Sequence, residues 1–111
     1  MKRGELWTVA GGGSYTGKPR PALVLQDDHF AQTASVTLCP LTSNQVNAPL
    51  LRLEVLPTPE NGLVCACDIM IDKLTTVPRE RLGRKIGRLE DAHLLRVNRA
   101  LVVFLGIAGG R

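Results

Sequence analysis

Four consecutive apolar residues, Ala22-Leu23-Val24-Leu25, stand directly after Arg20-Pro21. The run is too short for a helix and lacks the alternation of a strand with one wet face. It reads as the core of a strand, residues 20–26, that other elements must cover on both sides. Layered or closed β architectures supply two such covers. Pro21 removes a backbone donor and biases Arg20 towards extended backbone. Arg20 is therefore a cation held at the mouth of a buried strand.

The rest of the chain supplies short partners for that strand. Residues 5–10 and 35–41 read as strands, and 51–55 alternates as a half-buried strand does. Residues 63–71 and 73–77 read as two more, meeting around Asp72. Glycine-rich residues 11–19 and the stretch Asn44–Pro49 cannot hold regular structure, and Pro57, Pro59, Asn61 and Gly62 mark another turn. At Glu90 the period changes. Leu94, Val97, Leu101 and Leu105 recur at helical spacing, with Phe104 and Ala108 beside the same stripe. Glu90 and Asp91 suit a helix N-terminus, and Gly106 its C′ position. There is no repeat or linker. The expectation is a single domain, 1–111, mainly β with a C-terminal helix packed on a small, strongly curved β-barrel.

The formal charge of +4 favours anionic partners, nucleic acid first. Lys2-Arg3 is followed by Gly4-Glu5 rather than an apolar stretch, which predicts no secretory signal. No apolar run approaches the length that crosses a membrane. Three cysteines, an odd number, fit a reducing cytoplasm better than a disulfide framework.

Two groups of residues point to chemistry. Strand 35–41 ends in Cys39-Pro40-Leu41-Thr42-Ser43, which brings hydroxyls to a rim, as Arg20 brings a guanidinium. Arg plus Thr and Ser suits gripping a phosphate and stabilising charge on it. The alternative is an Arg at a strand end and a Thr in an ordinary turn bond. The second group is Arg79, Arg81, Arg84, Lys85 and Arg88 around one acid, Glu80, which fits tracking a nucleic-acid backbone or a solvated loop. Residues 11–18 lack the G-x-x-x-x-G-K-[ST] pattern, so a nucleotide P-loop is excluded and a flap over a groove is expected. Its Tyr15, Thr16 and Lys18 join the RNA-contacting set. Cys65-x-Cys67 without a second pair is a poor zinc pattern, and neither metal nor cofactor is expected.

The order and spacing of several segments resemble the MazF/PemK family of toxin endoribonucleases. These are Lys2 to Trp7, Gly17 to Leu25, Cys39 to Thr42, Asp72 to Val77, and Ile86-Gly87 through Leu105-Gly106. The resemblance implies an SH3-like barrel, a homodimer, single-stranded RNA in a groove at the dimer interface, and inhibition by a cognate antitoxin. It places Arg20 and Thr42 on the family's catalytic Arg and Thr, with Ser43 as an assistant. It implies metal-independent cleavage by the substrate's own 2′-hydroxyl, giving 2′,3′-cyclic phosphate and 5′-hydroxyl ends. The chain departs from the family at Ser14-Tyr15-Thr16-Gly17, where many members carry an acid; Asp27, Asp68 and Asp72 are the substitutes left. Two other classes stay open: a protein-binding toxin on the same barrel, like the gyrase inhibitor CcdB, and a non-catalytic nucleic-acid-binding module.

Overall fold

A computed structural model describes residues 1–11 and 19–109. Seven strands and one helix follow in order: β1 (Glu5–Val9), β2 (Arg20–Val24), β3 (Ser35–Thr42), β4 (Arg52–Val55), β5 (Cys67–Met70), β6 (Thr75–Pro78), β7 (Leu82–Arg88) and α1 (Asp91–Phe104). All pairings are antiparallel, in the order β4-β5-β3-β2-β1-β7, with β6 also paired to β3. The eight-residue β3 is the hub. On one side it pairs with β2. On the other its first half takes β6 and its last two residues take β5. The ladder does not close on itself among the described residues, so the expected barrel is realised as an open, strongly curved sheet.

The apolar run in β2 is covered on both faces, as its sequence requires. Leu23 and Leu25 pack with Leu6, Cys39, Leu41, Ile69, Ile71, Leu89 and Val97. Ala22 and Val24 point the other way and pack with Val36, Leu38 and Val77. The helix seals the first of these clusters. Val97 is fully buried, and Leu94, Ala100 and Leu101 pack beside it.

Four sequence expectations change in detail. Residues 63–66 lie outside β5, which begins at Cys67. Leu63 is buried and Asn61 is 1 % exposed. Asn61 accepts from the N–H groups of Thr58 and Leu63 and donates to the Leu56 carbonyl, so this segment is a buried polar turn. Asp72 lies inside a short 3₁₀ turn, Ile71–Lys73, pinned to β4 by two bonds from Arg52 at 3.0 and 3.1 Å. Residues 82–88 form β7, so the greater part of the basic cluster lies on a strand rather than in a solvated loop. Finally, Leu105 and Phe104 are exposed rather than core. Leu105 is the C-cap, and Gly106 takes the helix end with φ +74°.

Candidate functional site

Strand register brings the sequence-picked residues together. Ala22 faces Pro40 and Leu23 faces Cys39. The β2–β3 ladder ends at Ala22 and Pro40; continued two residues further, its register would carry Arg20 to the position opposite Thr42. Thr42 faces Asp68, Asp68 faces Glu54, and Arg20 faces Val9. Directly opposed residues of an antiparallel pair share a face. Thr42, Asp68 and Glu54 therefore form one row across β3, β5 and β4 on the face opposite the larger core, and the alternation of β2 puts Arg20 on that face too.

Arg20 is exposed, and it takes part in none of the ion pairs among the described residues. Thr42 is half-buried. Its hydroxyl oxygen accepts from the N–H of Asn44 at 3.1 Å, an arrangement favoured where a strand ends in a turn. The hydroxyl proton is left to donate outward. Ser43 follows on the exposed bend. Both elements of the competing bland reading are thus present too: a strand-end Arg and a turn-bonded Thr. The row, not either residue alone, separates the two readings.

Two open clefts border the row. One, about 430 Å³, is lined by Gln45, Asn47, Arg52, Glu54, Asp68 and Arg96 among others. The other, about 330 Å³, lies between Thr8, Pro19, Gly83 and Arg84, beside the start of β2.

The basic cluster divides. Arg84 is exposed on the second cleft, its backbone N–H bonded to Thr8 Oγ1 at 2.9 Å. Arg81 is half-buried and its carbonyl receives the Ala10 N–H. Arg79 is turned inward: Nε donates to the Thr33 carbonyl at 2.9 Å, and Nη2 to the carbonyls of Ala31 and Thr33. Its guanidinium staples the β2–β3 connection. Lys85 pairs with Glu5 at 3.1 Å. Burial alone raises the pKa of Glu5, but the Trp7 indole N–H, the Lys2 N–H and Lys85 outweigh it and hold the carboxyl at about 2. Arg88 bonds Asp91 at 3.3 Å at the start of α1. Tyr15, Thr16 and Lys18 lie outside the described residues.

The three candidate substitutes for the missing loop carboxylate are all engaged. Asp27 accepts from the His29 N–H and ring, which lowers its pKa. Asp72 is held down by Arg52. Asp68 is buried beneath the loop that follows Thr42, a placement that sequence spacing alone does not reveal. The cysteines are free thiols, and burial pushes Cys39 up to about 12 and Cys67 to about 11. Such thiols are inert, small core groups. Among the described residues no three His, Cys, Asp or Glu side chains converge as a metal would require. No described helix is long and apolar enough to cross a membrane.

Residues 2–105 match the family model described as PemK-like, MazF-like toxin of type II toxin-antitoxin system. The chain belongs to the PemK/MazF toxin family. A probable endoribonuclease MazF of Mycolicibacterium smegmatis is 54 % identical over 109 residues, covering 98 % of this chain and 100 % of that protein. Endoribonuclease MazF9 of Mycobacterium tuberculosis is 31 % identical, over 96 % and 98 % of the two chains. Among solved structures, MazE-MazF (Form-III) from Deinococcus radiodurans matches with a TM-score of 0.77 at 25 % identity, over 96 % of each chain. In this MazF-family chain the open seven-stranded sheet with its C-terminal helix is the family fold.

Proposed function

We propose that this toxin is a metal-independent endoribonuclease that cuts single-stranded RNA. The 2′-hydroxyl of the substrate attacks the adjacent phosphorus; the bond to the 5′-oxygen of the next nucleotide breaks. A 2′,3′-cyclic phosphate and a 5′-hydroxyl remain. The observation that carries the reading is that Arg20 begins β2 where Thr42 ends its antiparallel neighbour β3, with the Thr42 proton left to donate. The Arg20 guanidinium matches two non-bridging phosphate oxygens with two N–H groups. Negative charge grows on those oxygens in the transition state, so donors aimed there beforehand lower the barrier. Thr42 supplies a third donor, and Ser43 lies within one residue as an assistant. Holding the 2′-oxygen in line with the leaving oxygen supplies further rate. Arg84, with Arg81, leads the strand past Pro19 towards Arg20, and Tyr15, Thr16 and Lys18 join them from the loop. Lys85 contributes charge while paired to Glu5. Arg79 is left out of the contact set, because its Nε and Nη2 donors are taken by backbone carbonyls.

The reading includes a homodimer, a cognate antitoxin that competes with RNA, and a cytoplasmic site of action, where its RNA substrate lies. Exposed apolar residues along α1 and just past its end support the dimer. Leu95, Val103, Leu105 and Ile107 are each half or more exposed. A monomer leaving that surface wet loses the hydrophobic gain of covering it. The test is cleavage of a synthetic single-stranded RNA in excess EDTA, with both ends of the products identified. Cyclic phosphate and 5′-hydroxyl ends are expected, with no cut where the nucleotide 5′ to the site is 2′-deoxy. A metal requirement, or cutting of the deoxy substrate, overturns the mechanism.

A further inference from the structure

We propose that Asp68 is a positioning residue for Thr42, acting through a strap made by Gln45 and Val46; the proposal rests on the cleavage reading above. Asp68 is only 3 % exposed, yet it joins none of the ion pairs among the described residues. Its hydrogen-bond partners are neutral. Gln45 Nε2 donates to one carboxylate oxygen at 3.0 Å, and the Val46 N–H donates to the other at 3.1 Å. The Gln45 amide also reaches Glu54 Oε2 at 2.8 Å, spanning two members of the row. Arg52 is close enough to feel the Asp68 charge but makes no direct ion pair with it; a carboxylate so buried opposes folding unless its bonds are complete, and an apolar residue fills such a place more easily. The placement makes sense through what it holds.

Asp68 faces Thr42 across the β3–β5 ladder, and Thr42 is the last residue of β3. Beyond it the chain turns. The Asn44 N–H returns to the Thr42 hydroxyl, and two residues later the Val46 N–H returns to Asp68. The segment 42–46 is thus bracketed at both ends by β-strand pairing and a buried anion. The Asn44 bond that aims the Thr42 hydroxyl exists only while this bracket holds Asn44 in place. A carboxylate suits the task because it accepts at both oxygens and donates at neither. Asparagine in its place sets an N–H against one of the two donors, and the strap must lift on that side.

The experiment is single-turnover and steady-state cleavage of one RNA with a single cut site. The variants are Asp68→Asn, Thr42→Val, their combination, and Gln45→Met. Asp68→Asn is expected to lower kcat about 10- to 100-fold, the scale of a misplacement near 1 Å, with KM changed less than about 3-fold. The combined variant is expected to be no slower than Thr42→Val alone, because the strap then has no hydroxyl to aim. Gln45→Met removes one strap bond, and its kcat is expected to fall about 2- to 10-fold by the same reasoning. It also serves where Asp68→Asn fails to fold. Losses that multiply in the combined variant, a change confined to KM, or an unchanged kcat for Gln45→Met overturn the role of Asp68. If Thr42→Val itself cuts at the wild-type rate, the cleavage reading falls and takes this role with it. A slow Thr42→Val with multiplying losses removes Asp68 alone.

Discussion

Arg20 offers what Lys cannot: two parallel N–H groups fixed in a plane. Arg20→Ala is therefore expected to reduce kcat/KM by about 1,000-fold or more, with the circular dichroism spectrum unchanged because the side chain is exposed. Arg20→Lys is expected to recover only part of that loss. A near-wild-type rate for either variant in the same RNA assay excludes Arg20 from the chemistry. Thr42→Val keeps shape and removes the donor, and is expected to slow cleavage about 10- to 1,000-fold; a larger loss from Ser43→Ala exchanges the two roles. Glu5 gives a pH prediction. Its carboxyl has a folded pKa of about 2 against an ordinary 4.5, so the stabilisation is complete above about 4.5 and is lost as pH falls towards 2. Glu5→Gln is expected to lower the thermal midpoint at pH 7, by up to about 3 kcal/mol in free energy, and the gap to wild type should close below pH 4.5. A gap as large at pH 2.5 as at pH 7 means the glutamine variant fails by packing instead. The strand-end positions of Arg20 and Thr42 were legible in the sequence because each sits where a strand meets a punctuating residue. The roles of Arg79 and Asp68 were not, because each depends on contacts with residues more than 20 positions away.

At the scale of elements, β7 was hidden by its own glycines. The stretch Leu82-Gly83-Arg84-Lys85-Ile86-Gly87-Arg88 has neither clean alternation nor β-branched bulk, and its pairing with β1 shifts register at two points. The glycines are there for contact. A Cβ on Gly87 would stand 2.4 Å from the Asn61 backbone, and one on Gly83 would stand 2.4 Å from Thr8 Oγ1. Gly87→Ala is expected to destabilise the fold by about 1–3 kcal/mol in urea unfolding, since backbone must move to admit the methyl group. An unchanged midpoint means that β7 and the Asn61 turn pack less closely than described. The helix was legible in period but not in extent. The stripe from Leu94 through Val97 to Leu101 faces the core, while Leu105 lies one turn past the sheet it would have covered. Val97→Ala is expected to cost about 1–3 kcal/mol through the cavity it leaves, and Leu105→Ala close to nothing in the monomer. Equal effects of the two place the helix in a different rotation on the sheet.

The whole molecule carries an apolar surplus on α1 and an exposed basic edge at the start of β2 and on β7, and each predicts a partner. The apolar surplus sits on the outer side of α1 and just past it, at Leu95, Val102, Val103, Phe104 and Ile107. A surface of that kind has no use for RNA and suits a second copy of the chain, which presents the same patch to itself. Exposed cations lie on α1 too, at Arg96 and Arg99, while Arg84 lines the cleft at Pro19, next in the chain to the exposed Arg20. On the proposed reading, antitoxin and RNA compete at the basic cleft while a second copy of the chain covers the helix. Val103→Arg tests the separation. It places a charge in the centre of the apolar patch without touching Arg20, Thr42 or Asp68. Light scattering is expected to show wild type at twice the mass of the chain and Val103→Arg at the monomer mass. The sheet's circular dichroism should be retained, because Val103 is 64 % exposed. Antitoxin association is expected to behave differently. With a partner segment that is acidic and disordered when free, the on-rate should fall as salt rises from 50 to about 300 mM, while the dimer mass stays constant. Arg84→Glu should slow that association without changing the mass of the toxin. A Val103→Arg protein that remains a dimer moves the self-interface off the helix. An association rate insensitive to salt and to Arg84→Glu removes the basic cleft as the antitoxin's landing site.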